Sequence, residues 1–377
     1  MALILVSIHV NDVMNRHFFL IFASSFVIAC VPKHDSSEII PIPDSIGGES
    51  FCEQVSSINL IPLSSQDEGL MGQMVELQVW DKTFVIADKS TVKILRFSEK
   101  GEYLNGYGRK GRGPQEYASI ENIQIKGDTL IVFADHSRIL KFLKDGTWLS
   151  TTEQSSLGLQ SYFVDDAILT YKGYMSDGES RMALIKDNQE IGSFLKTQKS
   201  VVPLVPRAAL FSESSNGIFF TDSYSNIVNR FVDGVVEPYF TFDFGRLTIG
   251  EQFYRFDNRM EGMKFLLGSE FEVINHFCAD GDNYMIEAMV QAPQTAPIFN
   301  YGICRRGRWK WFTCGETGVD PFSGMFLLYK GDVAYYLLEP SLVGNIPDTI
   351  ISKIKNAEVL ENITQESNYV LAEVYFL

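Results

Sequence analysis

Three cations fall within four residues at Arg109, Lys110 and Arg112, and Glu116 and Tyr117 follow closely. Two guanidinium groups and an ammonium group so placed can hold an anionic glycan or a carboxylate. These five residues are the candidate ligand-binding set. The competing reading is a solvated charged loop, with Glu116 satisfying backbone amides and Tyr117 packed beneath. Gly106, Gly108 and Gly111 in the same stretch match G-x-G-x-x-G. A dinucleotide site needs a helix after the last glycine to aim amides at phosphate, and Gly113-Pro114 forbids one. The glycines instead suit tight turns with positive φ.

Other groupings carry less chemistry. Arg305, Arg306 and Arg308 beside Trp309 and Trp311 suggest a sugar platform, but strand aromatics packed below a hairpin tip explain them more simply. Asp88, Asp135 and Asp222 recur after similar apolar runs and read as turn caps. Turned towards a shared channel, their oxygens would instead suit Ca²⁺, the one cofactor to be considered. A catalytic zinc wants three protein ligands, whereas His136 and His276 are the only histidines after residue 34. No Gly-x-Ser-x-Gly elbow occurs. Besides Cys30 there are Cys52, Cys278, Cys304 and Cys314. A two-residue turn at Arg306-Gly307 would pair position 304 with 309, so free thiols are expected and no disulfide.

The elements that must position these residues repeat. Val85-Ile86-Ala87-Asp88 precedes Lys93-Ile94-Leu95-Arg96-Phe97 and a turn at Gly101. Val132–Asp135, Arg138–Phe142 and Gly146 form a second copy; Phe219–Asp222, Ile227–Phe231 and Gly234 form another. The turn glycines lie 45 and then 88 residues apart, so one degenerate unit falls between, at 161–196. Further units fit at 272–315 and 322–340. A period of 40–50 residues built from strands is a β-propeller signature, because one blade cannot cover both its faces and must pack in a ring. The expected fold is all-β, six four-stranded antiparallel blades, closed by Val55–Leu63 and Tyr369–Leu377 meeting in one blade. Two helices are expected as insertions. At 248–267, Phe253, Phe256, Met260, Met263 and Leu267 share a face after a Thr248/Glu251 capping box. At 346–357, Ile346, Ile350, Ile354 and Ala357 step similarly.

The N-terminus reads as an address. From Met14 a short basic region precedes an apolar stretch, Phe18–Ala29, and then Cys30. This is a secretory signal peptide over 1–29, and Val27-Ile28-Ala29-Cys30 resembles a bacterial lipobox, which would make Cys30 a lipidated residue. Residues 30–50 mix Pro, Ser, Gly and acids without periodicity, as a flexible tether does, and the propeller would occupy 51–377. The 32 basic against 47 acidic residues give a net charge of −15, which repels nucleic-acid backbones.

Phe97–Tyr117, with its Gly-x-Gly-x-x-Gly-x-Gly-Pro-Gln-Glu-Tyr run, resembles the blade-linking motif of six-bladed β-propeller lipoproteins of anaerobic Gram-negative gut bacteria. Gln115 stands where that family usually has Gly. Ile61-Pro62-Leu63 and Asn368-Tyr369-Val370-Leu371 are similar to its first and last strands, Tyr369 being a departure. The resemblance implies a propeller outside the cytoplasm, related more widely to NHL-type propellers, most of which bind and a few of which are lyases or lactonases. The expected function is a membrane-anchored, monomeric, non-catalytic module for a small molecule, glycan or envelope protein. The alternative is a calcium-dependent, lactonase-like hydrolase with its site in the channel.

Overall fold

The computed structural model describes residues 37–43, 50–72, 75–155, 157–173, 180–196, 209–256, 258–314 and 322–377. The leader 1–29 and Cys30 lie outside them. Six four-stranded antiparallel sheets succeed one another along the chain. Blade 1 is Val75–Trp80, Thr83–Asp88, Lys93–Phe97 and Tyr103–Gly106. Blade 2 is Ile120–Lys126, Thr129–Ala134, Arg138–Leu143 and Trp148–Glu153. Gln160–Val164, Ala167–Tyr171, Ser180–Lys186 and Gln189–Lys196 form blade 3. Phe211–Ser214, Gly217–Thr221, Ile227–Val232 and Val235–Asp243 form blade 4; Phe271–Asp280, Asn283–Gln291, Ile298–Arg305 and Arg308–Cys314 form blade 5. Blade 6 closes the ring as expected: Phe326–Lys330, Val333–Leu338 and Val370–Phe376 are completed by Val55–Pro62 from the start of the domain. Asn368 clamps this seam, its side chain donating to the Ser64 and Gly69 carbonyls and accepting from the Met71 amide.

Burial explains the ring. The buried apolar side chains form wedges, one at each of the six blade junctions. Each sheet therefore covers its neighbour. The first strands, most of which contact the next around the ring, carry polar residues that serve the free backbone edge of the next blade. Asn122 exchanges two 2.8 Å bonds with the Ser161 backbone, Gln124 donates to the Phe163 carbonyl at 3.2 Å and accepts from its amide at 2.8 Å, and Gln160 accepts from Leu210. Asn122→Ala leaves the buried Ser161 amide and carbonyl unpaired, and should cost about 3 kcal/mol in urea unfolding. An unchanged midpoint would show that these bonds do not hold the blades together.

The turn chemistry follows the sequence. Arg306 and Gly307 both have positive φ and set Cys304 opposite Trp309, as expected. Cys278 and Cys304 are buried free thiols and Cys52 is a half-buried one.

The insertions differ in part from expectation. At 346–357, Ile346, Ile350 and Ile354 are buried, but the helix proper is only Asp348–Ile351, and the segment covers the outer edge of blade 6 by bonding to both sides of Ile58. The 248–267 expectation fails in its phase. A 3₁₀ turn, Glu251–Arg255, ends before Asn258 caps a separate helix, Arg259–Gly268. Thr248 makes no capping box with Glu251; it ends an earlier 3₁₀ turn, Gly245–Leu247, and bridges to Glu272. The break resets the rotation, so Leu266 is buried while Met260, Met263 and Leu267 face outwards. Within the expected tether, Glu38–Pro41 is extended but not free: it adds a fifth, parallel strand to blade 4.

Candidate functional site

The blade 1–2 link, Gly106–Tyr117, is a rigid loop built on one carboxylate. Glu116 accepts from the Arg112 amide at 3.0 Å, the Gly113 amide at 2.8 Å and Arg109 Nε at 2.7 Å. The Gly113 amide first, and Arg109 next, hold its carboxyl below the usual carboxylate range. Arg109–Lys110 runs parallel to Glu116–Tyr117 as a two-residue ribbon. Gly108 has φ +65°, and a Cβ there would meet the Gln115 carbonyl at 2.6 Å and the Tyr117 ring at 2.8 Å, so glycine is required. No helix follows the G-x-G-x-x-G run.

The five candidates divide. Tyr117 is fully buried and donates to the Tyr107 carbonyl, so it supports the loop and offers nothing to a ligand. Glu116 is spent on the loop's own amides and on Arg109. Arg109 is 82% exposed and tied to Glu116; Lys110 is exposed. Arg112 alone lines a cleft of about 630 Å³, with Gly113, Pro114, Ala118, Asp135, Arg138, Thr151 and Glu153.

Of the blade 2 residues of this cleft, sequence reasoning singled out Asp135, but not Arg138, Thr151 or Glu153. Arg138 anchors the loop through the Glu116 and Gly113 carbonyls and pairs with Asp135 and Glu153. Its place one strand after a recurrent Asp was the available signal. Arg112, unlike Arg109 and Arg138, has no carboxylate against its guanidinium among the described residues.

The recurrent aspartates are structural. Asp88 accepts from Gly72, Ser90 and Thr91; Asp135 accepts from the Ala118 and Ser119 amides. Asp222 takes Tyr171, the Ser223 amide and Arg181. Among the described residues no three His, Cys, Asp or Glu side chains gather so as to hold a metal ion. The tryptophans are packing residues: Trp309 and Trp311 stack at 5.6 Å and lie against Phe240 and Phe242, while Arg305 pairs with Asp332. A smaller groove of about 310 Å³ beside them is lined by Glu38, Tyr239, Asp282 and Arg306 among others.

Blade 5 holds an unforeseen polar cluster on its face towards blade 6. Glu287, wholly buried, accepts from Tyr301 at 2.6 Å and from Asn275, the residue at a β-bulge. Burial pushes its carboxyl up to about 7. His276, directly across the ladder, is pushed down to about 4 by burial.

A ring of six antiparallel sheets, with wedge cores between them and a cleft where blade 1 passes to blade 2, defines a six-bladed β-propeller. The chain belongs to the DUF4934 family, a domain of unknown function, matched over residues 38–375. It is similar in structure to a Bacteroides fragilis protein named for its presumed export, with TM-score 0.70, 13% identity, and 90% of this chain and 99% of that one covered. It is also similar to a DUF4221 member from Bacteroides vulgatus, with TM-score 0.55, 11% identity, and 86% and 97% covered. No curated protein sequence matches the chain.

Proposed function

We propose that this propeller is an extracytoplasmic, lipid-anchored binding module that holds an anionic ligand, an acidic glycan in the first instance, in the blade 1–2 cleft without transforming it. The observation that carries the reading is Arg112, a cation without a carboxylate partner among the described residues, on a loop whose other arginine, Arg109, is already paired, as is Arg138, the blade 2 residue that anchors it. A planar guanidinium held at the rim of an open cleft suits bidentate recognition of a carboxylate or sulfate. Glu116, Asp135 and Glu153 each already hold a cation or amides, which supports binding over proton transfer and favours no resident calcium. The location rests on the leader and on Cys30 in its lipobox-like setting, with the exported relative as support by analogy.

A panel of uronic-acid and sulfated oligosaccharides tests the ligand class. Binding should weaken as salt rises and be absent for neutral sugars of the same length; equal binding of neutral sugars would remove the reading. For the anchor, Cys30→Ser should abolish labelling by a fatty-acid probe, and continued labelling would refute it.

A further inference from the structure

We propose that residues Glu38–Pro41 are a releasable strap on blade 4, whose docking sets how far the propeller stands from its anchored residue. The reach half of this proposal rests on the lipid-anchor reading of Cys30; the docking half does not.

The strand pairs in parallel with the outer strand of blade 4, Glu38 opposite Phe240 through Pro41 opposite Asp243. The other five blades are antiparallel throughout and four strands wide. The added strand is held by little. Ile40 is buried, at 3% exposure, in the cluster containing Phe240 and Phe242, and Ile42 lies half-buried against it; Ile39 is 67% exposed and Glu38 and Pro41 face solvent. Ser37 adds one side-chain bond to Thr241 at 2.6 Å. Pro41 has no amide to give, so the ladder stops there. Ordering these residues opposes a ladder this short, one buried side chain and the half-buried Ile42 just beyond it, so bound and released states lie close in free energy. The cover on blade 6 contrasts with it: three isoleucines, Ile346, Ile350 and Ile354, are sunk into the core.

The position of the strand gives release a consequence. With the strap docked, the seven residues from Cys30 to Ser37 span at most about 25 Å. With it released, the free chain runs to Ser50 at the first cap of the domain, twenty residues and at most about 70 Å. Release also bares the outer edge of blade 4, an unpaired row of backbone groups able to take another extended chain.

The experiment uses the full lipidated chain on a supported bilayer, with Ile40→Asp and the conservative Ile40→Val. Hydrogen exchange at Ile39 and Ile40 should run roughly 10- to 1,000-fold slower than in free chain, far faster than in the inner strands. Ile40→Asp should bring it to the free-chain rate and leave the blade strands protected, while Ile40→Val keeps the strap docked. Neutron reflectometry should show the gap between bilayer and propeller widening in Ile40→Asp alone. Exchange at Ile40 as slow as in the inner strands, or no protection in the wild type, overturns the strap. A gap unchanged by Ile40→Asp overturns its control of reach. A wild type that forms no bilayer-bound layer overturns the anchor and the reach together, while exchange still decides docking.

Discussion

Val374→Asp is expected to abolish folding. Val374 is fully buried in the strand that closes the ring, hydrogen-bonded ladder on both sides, with Ile58 opposite it in the first strand of the domain and Ala334 in the strand before. An aspartate there would be set among the buried hydrocarbon and aromatic side chains of the wedge between blades 5 and 6. An unpaired buried charge costs about 3–5 kcal/mol, and the lost valine adds to it. A domain's whole stability is only about 5–15 kcal/mol. A propeller also depends on this seam more than on any interior strand, because the seam alone joins the two ends of the chain. Val374→Asp should give no cooperative melting transition and should be found as aggregate or proteolysed chain. Val374→Ala, which only opens a small cavity, should lose about 2 kcal/mol and stay folded. A Val374→Asp protein that melts like the wild type would mean that the ends are not clasped.

Glu287→Gln should stabilise the protein increasingly as pH rises above 4.5, and fully above neutral pH. Burial raises the Glu287 carboxyl from 4.5 to about 7, so the folded state binds its proton more tightly than the unfolded chain. Stability from this group is complete below pH 4.5 and falls as pH rises to about 7, beyond which the full penalty is present. That difference corresponds to about 3 kcal/mol. Glutamine imitates the protonated side chain: its amide can donate to Tyr301, whose hydroxyl lies 3.3 Å from the Phe322 carbonyl. Urea unfolding of both proteins should give nearly equal stability at pH 4 and a gain of about 3 kcal/mol for Glu287→Gln at pH 8. Equal stability at both pH values would mean that Glu287 is ionised without penalty.

The fold was legible because its signals are local and repeated. Gly101, Gly146 and Gly234 each take a positive φ at matching turns, and the apolar runs before them are continuous, as strands buried on both faces must be. The closing strands were legible as unpartnered strands at the two ends. What escaped reading depends on context. Glu38–Pro41 looks like linker because two of its four residues are Glu and Pro, and only blade 4's free edge makes it a strand. The 248–267 segment keeps a helical spacing across a break at Phe256–Asn258 that periodicity does not register, so the buried face was misassigned. In the cleft, the sequence pointed to the loop but not to its partner: Arg138 and Glu153 come from the far strands of blade 2. The inward turn of Glu116 and Tyr117 was legible as the competing reading, because a loop with that many amides needs its own acceptor and floor. Glu287, a lone acid in Met285-Ile286-Glu287-Ala288-Met289, was the visible sign of the buried cluster.

The central claim is that the blade 1–2 cleft binds an anionic ligand through Arg112 and returns it unchanged. Calorimetric titration of the full chain and of Arg112→Ala with the best acidic oligosaccharide, followed by mass analysis of the recovered sugar, tests it directly. The account predicts at least a tenfold loss of affinity in Arg112→Ala, with unchanged melting and intact sugar from both proteins. Undiminished binding by Arg112→Ala, or a cleaved product from the wild type, would contradict it.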